Sequence, residues 1–169
     1  SLGNLYREMG RYKQSETLYL QVRMISTAVA GESNTNYSTA TNNLGSLYQL
    51  MGQYPKAEQL YTESLSILKR TVGEKNVVYA ASLNNLATLY VNLGQYEKAK
   101  LLLIQVLEIR KNILGETHPL YAESLNNLAA LYGDMDQFAK AEPLYKEAIA
   151  ITKKSLGENN LDYATMIDN

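Results

Sequence analysis

The chain contains no cysteine, no tryptophan, a single histidine and only three prolines in 169 residues. Without cysteine there is no disulfide framework, no thiolate metal site and no thiol nucleophile, which suits a reducing compartment; the expected location is cytoplasmic. With His118 alone, an imidazole metal cluster or an acid–base pair would lack its usual partners. Charge of one sign is also missing. Lys and Arg number 16 against 17 Asp and Glu, and a net charge of -1 gathers neither nucleic acid nor an anionic membrane surface. No apolar run approaches the roughly 18 residues that a membrane-spanning helix needs. No P-loop, dinucleotide fingerprint or Gly-x-Ser-x-Gly elbow is found, so the expectation is a chain that is not an enzyme and that holds no metal or cofactor.

What the chain does have is tyrosine, 14 in all, and a ruler of 42 residues. Tyr37, Tyr79, Tyr121 and Tyr163 stand at that spacing, as do Gly31, Gly73, Gly115 and Gly157, each followed by glutamate. The expected organisation is one repeat array: a partial first repeat at 1–36, repeats at 37–78, 79–120 and 121–162, and the start of a further helix at 163–169. Hydrophobic residues make up 46% of the chain, enough to give such an array a core.

Within one period, Leu83, Leu86, Ala87 and Tyr90 fall at i, i+3, i+4 and i+7, which marks one face of a helix A over roughly 79–93. Gly94 follows, and Tyr96, Ala99, Leu102, Leu103, Val106 and Ile109 trace a helix B over roughly 96–114. Gly115 stops that helix, and His118 and Pro119 lead into the next helix A. Small residues at Gly45, Ala87 and Ala129 in helix A, and at Ala57, Ala99 and Ala141 in helix B, leave room for close approach. A helical hairpin of this kind cannot bury both stripes alone. Stacking is expected to give an all-α, right-handed superhelical solenoid of antiparallel helix pairs with a concave side lined by A helices.

The pattern Leu83-x2-Leu86-Ala87-x2-Tyr90 followed by Ala99-x3-Leu103 resembles the tetratricopeptide signature, and it recurs at Leu44-Gly45-x2-Tyr48 with Ala57-x3-Tyr61 and at Leu128-Ala129-x2-Tyr132 with Ala141-x3-Tyr145. The 42-residue period, the stretch Leu-Gly-Glu-Thr-His-Pro-Leu-Tyr-Ala at 114–122 and Leu-Asn-Asn-Leu-Ala at 125–129 resemble the kinesin light chain branch of that family. The likeness covers essentially the whole chain and implies a protein- or peptide-binding scaffold. Departures are Ser15 and Arg23 in the first repeat, expected to mark a weaker or more terminal unit, and Asp136 in place of the inter-helix glycine.

A second stripe of helix A runs through Ala81, Asn85, Thr88 and Asn92, with equivalents Thr39, Asn43, Ser46, Leu50 and Glu123, Asn127, Ala130, Asp134. These positions are expected to face the groove. Asn42 and Asn43, Asn84 and Asn85, and Asn126 and Asn127 place asparagine in helix interiors, where each costs about 0.5 kcal/mol relative to alanine. An asparagine amide offers both an acceptor and a donor, and so can bond the N–H and the C=O of an extended peptide of any sequence. Asparagines on this face contact peptides in the related family, and the resemblance carries that role to Asn43, Asn85 and Asn127. The competing reading has the amides bonding between neighbouring helices. Arg7 is the one basic residue near the inferred groove, which disfavours a carboxylate clamp; Leu50 and Val91 are either apolar groove contacts or core. A different class of function, a spacer or head-to-tail self-assembling solenoid joined through incomplete terminal repeats, stays open beside the peptide scaffold.

Overall fold

The computed structural model describes residues 1–31 and 34–157, and within them the chain forms eight α-helices and no strand. The A helices are α1 (Leu2–Glu8), α3 (Thr35–Leu50), α5 (Val77–Asn92) and α7 (Pro119–Asp134). The B helices are α2 (Tyr12–Ala30), α4 (Tyr54–Thr71), α6 (Tyr96–Leu114) and α8 (Phe138–Leu156). Helix α6 has the span its apolar spacing predicts. Helix α5 starts two residues ahead of the expected Tyr79, because the Asn76 side chain accepts the Val78 N–H at 2.8 Å and caps a turn that the valine pair does not advertise. His118 does the same for α7, its Nδ1 accepting the Leu120 N–H at 3.1 Å with Pro119 in the first turn.

Each A-to-B link turns through a left-handed residue. Gly52 and Gly94 supply it at φ 70° and 68°, whereas the last link uses Asp136 at φ 57°. A side chain in that conformation is strained, and aspartate is among the few residues that tolerate it.

The chain divides into two compact units between Leu89 and Tyr90. In the first, α1 packs on α2, α2 on α3, and α3 on α4. Contact is close where an A-helix glycine meets a B-helix ring: a Cβ on Gly45 would stand 2.8 Å from Tyr61, and one on Gly3 would stand 2.6 Å from Tyr19. Both rings are buried, and their hydroxyls donate to Gln49 Oε1 at 2.9 Å and to Asn4 Oδ1 at 2.6 Å respectively.

The departures of the first repeat tie its helices to their neighbours. Ser15 is fully buried and donates to the Gly3 carbonyl at 2.8 Å. Arg23 lies over the Tyr37 ring at 4.6 Å and pairs at 2.8 Å with Glu63, which also accepts the Tyr37 hydroxyl at 2.8 Å. Together these groups bind α2 to both α3 and α4.

In the second unit α6 packs on α7 and α7 on α8, with Tyr121, Ala122, Leu125 and Ala148 at the centre and Leu107, Leu144, Ile149 and Ile151 against them. The recurring glutamates pair with lysines in the last turn of the preceding helix. Glu116 meets Lys111 at 2.5 Å, and in the first unit Glu74 meets Lys69 at 2.6 Å. A lysine there also sits favourably at the negative end of the helix dipole. Glu32 and Glu158 lie outside the described residues.

Two predictions follow from this packing. Asp136→Gly removes the left-handed strain and is expected to stabilise the chain by about 1 kcal/mol, read as a higher urea midpoint at unchanged slope. The second concerns tyrosine ionisation. Burial raises the Tyr61 hydroxyl from 10.0 to about 12, and the hydrogen bond to Glu16, followed by burial, takes Tyr48 to about 12. Because the folded chain holds these protons more tightly than the unfolded one, their stabilisation is intact below pH 10 and is lost as pH rises through about 10 to 12. Urea midpoints measured from pH 9 to 12 should fall in that window, and more shallowly for Tyr61→Phe; a parallel fall in the variant would contradict the assignment.

Candidate functional site

The two faces of each A helix differ sharply. On α3, Ala40, Leu44 and Leu47 are buried, while Thr39 and Leu50 are exposed and Asn43 and Ser46 are half-buried beside them. On α5, Leu83, Leu86 and Ala87 are buried, whereas Ala81, Thr88 and Asn92 are exposed and Asn85 is half-buried. On α7 the half-buried Glu123, Asn127 and Ala130 lead to the exposed Asp134. The stripe is therefore accessible in every helix where the spacing places it. Leu50, 57% exposed, belongs to that surface and not to the core, while Val91 is half-buried.

The candidate residues are not equivalent in their hydrogen bonding. Asn43 and Asn85 make no side-chain hydrogen bond among the described residues. Asn84, Asn126 and Asn127 each interact with other groups of the chain. The Oδ1 of Asn42 is buried without a partner, leaving an acceptor that costs stability until a donor reaches it. Ser46 is engaged across the helices, accepting from Arg7 Nη1 at 3.0 Å. Arg7 is thereby a tie from α1 to α3. The hydroxyls of Thr39 and Thr88 turn back to the Thr35 and Asn84 carbonyls of their own helices at 2.7 and 3.0 Å, so these residues present methyl groups outward. Asn43 lines a cleft of about 170 Å³ together with Ser1, Tyr19, Val22, Asn36, Thr39 and Ala40.

One charged residue at this surface went unread in the sequence. Arg110 of α6 is 3% exposed, and its Nη1 donates to the Leu120 carbonyl at 2.8 Å and to Ser124 Oγ at 2.9 Å. Glu123, on the accessible stripe of α7, lies 3.4 Å from the same nitrogen. A signal was present: Arg110 occupies the period position of Leu68 and Thr152, and Glu123 that of Thr39 and Ala81, so both exceptions fall in one helix pair. Among the described residues there is no group of three or more His, Asp or Glu suited to a metal ion, and no helix long and apolar enough to cross a membrane. The chemistry available on the stripes is hydrogen bonding by uncharged amides, with a carboxylate at Glu123 and another at Asp134.

These features can be set beside known proteins. The tetratricopeptide repeat family model matches residues 1–70 and 78–166. The crystal structure of BtubC (BKLC) from P. vanneervenii is similar at a TM-score of 0.86 and 24% identity, over 99% of this chain and 66% of that one, a likeness of fold. A putative kinesin light chain of Podosopora anserina, with nearly identical TPR-like repeats, is similar at a TM-score of 0.79 and 26% identity, over 98% of this chain and 78% of that one. A variant of the same protein matches at 25% identity with the same TM-score and coverage. The chain thus spans just under two thirds of the first of these structures. A search of curated proteins returns no match. The chain belongs to the tetratricopeptide repeat family, as an all-α solenoid of its kinesin light chain-like branch.

Proposed function

We propose that the chain is a non-catalytic scaffold that holds an extended polypeptide segment along the asparagine stripes of its A helices. Asn43, Asn85 and Asn127 are the principal contacts, with Asn42, Asn84, Asn126, Ser46, Thr88 and Asn92 beside them. The tetratricopeptide fold is a protein-interaction scaffold, and helical repeats offer extended surfaces to partners. The observation that carries the finer reading is that Asn43 and Asn85 are half-buried in helix interiors and hydrogen-bond to no described residue. Such an amide costs about 0.5 kcal/mol against alanine and returns nothing to the fold; a peptide backbone supplies the donor and acceptor that would offset it.

Each 42-residue repeat, at 37–78, 79–120 and 121–162, contributes one asparagine pair, and each unit is taken to bind through its own. The exposed Leu50 offers an apolar contact beside Asn43 for a side chain of the ligand. We take the compartment to be the cytoplasm, which a chain without cysteine suits.

A test separates binding from folding. Asn43→Ala and Asn85→Ala are each expected to raise stability by about 0.5 kcal/mol in urea denaturation, through helix propensity alone. The triple variant Asn43→Ala, Asn85→Ala, Asn127→Ala is expected to keep its helical circular dichroism and to lose the motif that the wild type enriches from a peptide library. Single variants that lose 1 kcal/mol or more would make the asparagines structural. A triple variant that enriches the wild-type motif would remove them from the site.

A further inference from the structure

We propose that the cleft between the B helices α2 and α4 binds a small aliphatic carboxylate, held by Arg23 and Lys56 against a leucine lining. The cleft has a volume of about 370 Å³, within the roughly 300 to 1,000 Å³ of small-molecule sites. Leu20 of α2 and Leu60 of α4 line it, and α3 contributes Leu44 and Tyr48, residues outside the Asn43 stripe. Leu44 is buried and Leu60 half-buried, whereas Leu20 is 48% exposed.

The charges lining this cleft do not cancel. Glu63 Oε1 accepts from Arg23 Nη2 and from the Tyr37 hydroxyl, each at 2.8 Å. Lys56 is left without a carboxylate partner, its ammonium 5.0 Å from the centre of the Tyr48 ring. Glu16 accepts the Tyr48 hydroxyl and does not line the cleft. Arg23 and Lys56 therefore face a single lining carboxylate, that of Glu63. Arg23 is also incompletely bonded. A guanidinium carries five N–H donors, and here only those on Nη2 meet acceptors, at Glu63 and Tyr37. With its side chain 22% exposed the cation is largely withdrawn from water, and that cost is returned only when its donors are satisfied. A ligand carboxylate has two oxygens to offer the spare donors of Arg23 and the ammonium of Lys56, and an aliphatic body would cover the leucines.

The 42-residue period separates what is ordinary packing here from what is not. Lys56, Lys98 and Lys140 stand over Tyr48, Tyr90 and Tyr132 at 5.0, 5.0 and 5.4 Å, so the lysine alone belongs to the repeat. Arg23 does not, since Leu65, Leu107 and Ile149 occupy its place one, two and three periods on. Helix α6 has Gln105 at the place of Glu63 and Leu107 at that of Arg23, and so forms without either charge. The second cation is peculiar to the cleft between α2 and α4.

Amide chemical-shift titration of the full chain with hexanoate at pH 7 tests this, with acetate supplying the charge without the body and 1-hexanol the body without the charge. Hexanoate is expected to shift the signals of Leu20, Arg23, Lys56 and Leu60 and to saturate, with a Kd of roughly 1 to 10 mM for a ligand of about eight non-hydrogen atoms. Acetate and 1-hexanol should each bind at least about fivefold more weakly. Lys56→Gln, at an exposed position, should weaken hexanoate about threefold. Arg23→Leu/Glu63→Gln, which installs the pair present in α6, should keep its helical circular dichroism and lose the preference for hexanoate over 1-hexanol. Shifts that rise linearly without saturating, 1-hexanol binding as tightly as hexanoate, or a hexanoate affinity unchanged in either variant would each overturn the proposal.

Discussion

The fold depends on A and B helices approaching so closely that a ring of one lies on the backbone of the other. At Gly45 and Gly3 there is no space for even a methyl group, because Tyr61 and Tyr19 fill it. Glycine inside a helix costs about 1 kcal/mol against alanine, so the close ring contact has to offset that loss. Once the small residue is held against the ring, the rotation of the A helix about its axis is set. Leu44 and Leu47 must then face inward, and Asn43 and Ser46, each one residue before a buried leucine, come to the accessible side. The candidate site is in this sense a consequence of packing on the opposite face.

Departures from the repeat are tolerated where a new partner accompanies them. Ser15 would be an unsatisfied hydroxyl in the place of alanine, but the Gly3 carbonyl accepts its hydrogen bond. Arg23 would be an unpaired cation in the place of leucine, but Glu63 and the Tyr37 ring receive it. Arg110 goes furthest. It is buried with Glu123, Ser124 and the Leu120 carbonyl around Nη1, yet its Nε has no partner. A buried charge returns its desolvation cost only when its hydrogen bonds are complete, and Leu68 at the same position in α4 is fully buried without one. Arg110 thus ties α6 to α7 at a cost that α4 avoids with a leucine.

The helices and their pairing were legible because apolar spacing and period act along the chain. Helix α6 ends at Leu114, ahead of Gly115, as its pattern requires. The start of α5 was less legible, since Asn76 caps through a side chain that reads equally well as loop. The accessible stripe was legible as a surface, from the phase of Thr39, Asn43 and Ser46 against Leu44 and Leu47. Its hydrogen bonding was not. Arg7 reaching Ser46 joins residues 39 apart in sequence on different helices, a relation that no single-helix periodicity contains.

The most direct test of the close-approach constraint is a double-mutant cycle in urea on Gly45→Ala and Tyr61→Leu, the combination found at Ala87 and Leu103 in the next repeat. With Tyr61 present, the added methyl must displace the ring, and Gly45→Ala is expected to destabilise by about 1 to 3 kcal/mol. In the Tyr61→Leu background the same change should be neutral, or stabilising by about 1 kcal/mol through helix propensity. Equal effects in the two backgrounds would contradict the account, because the glycine would then answer to something other than the ring.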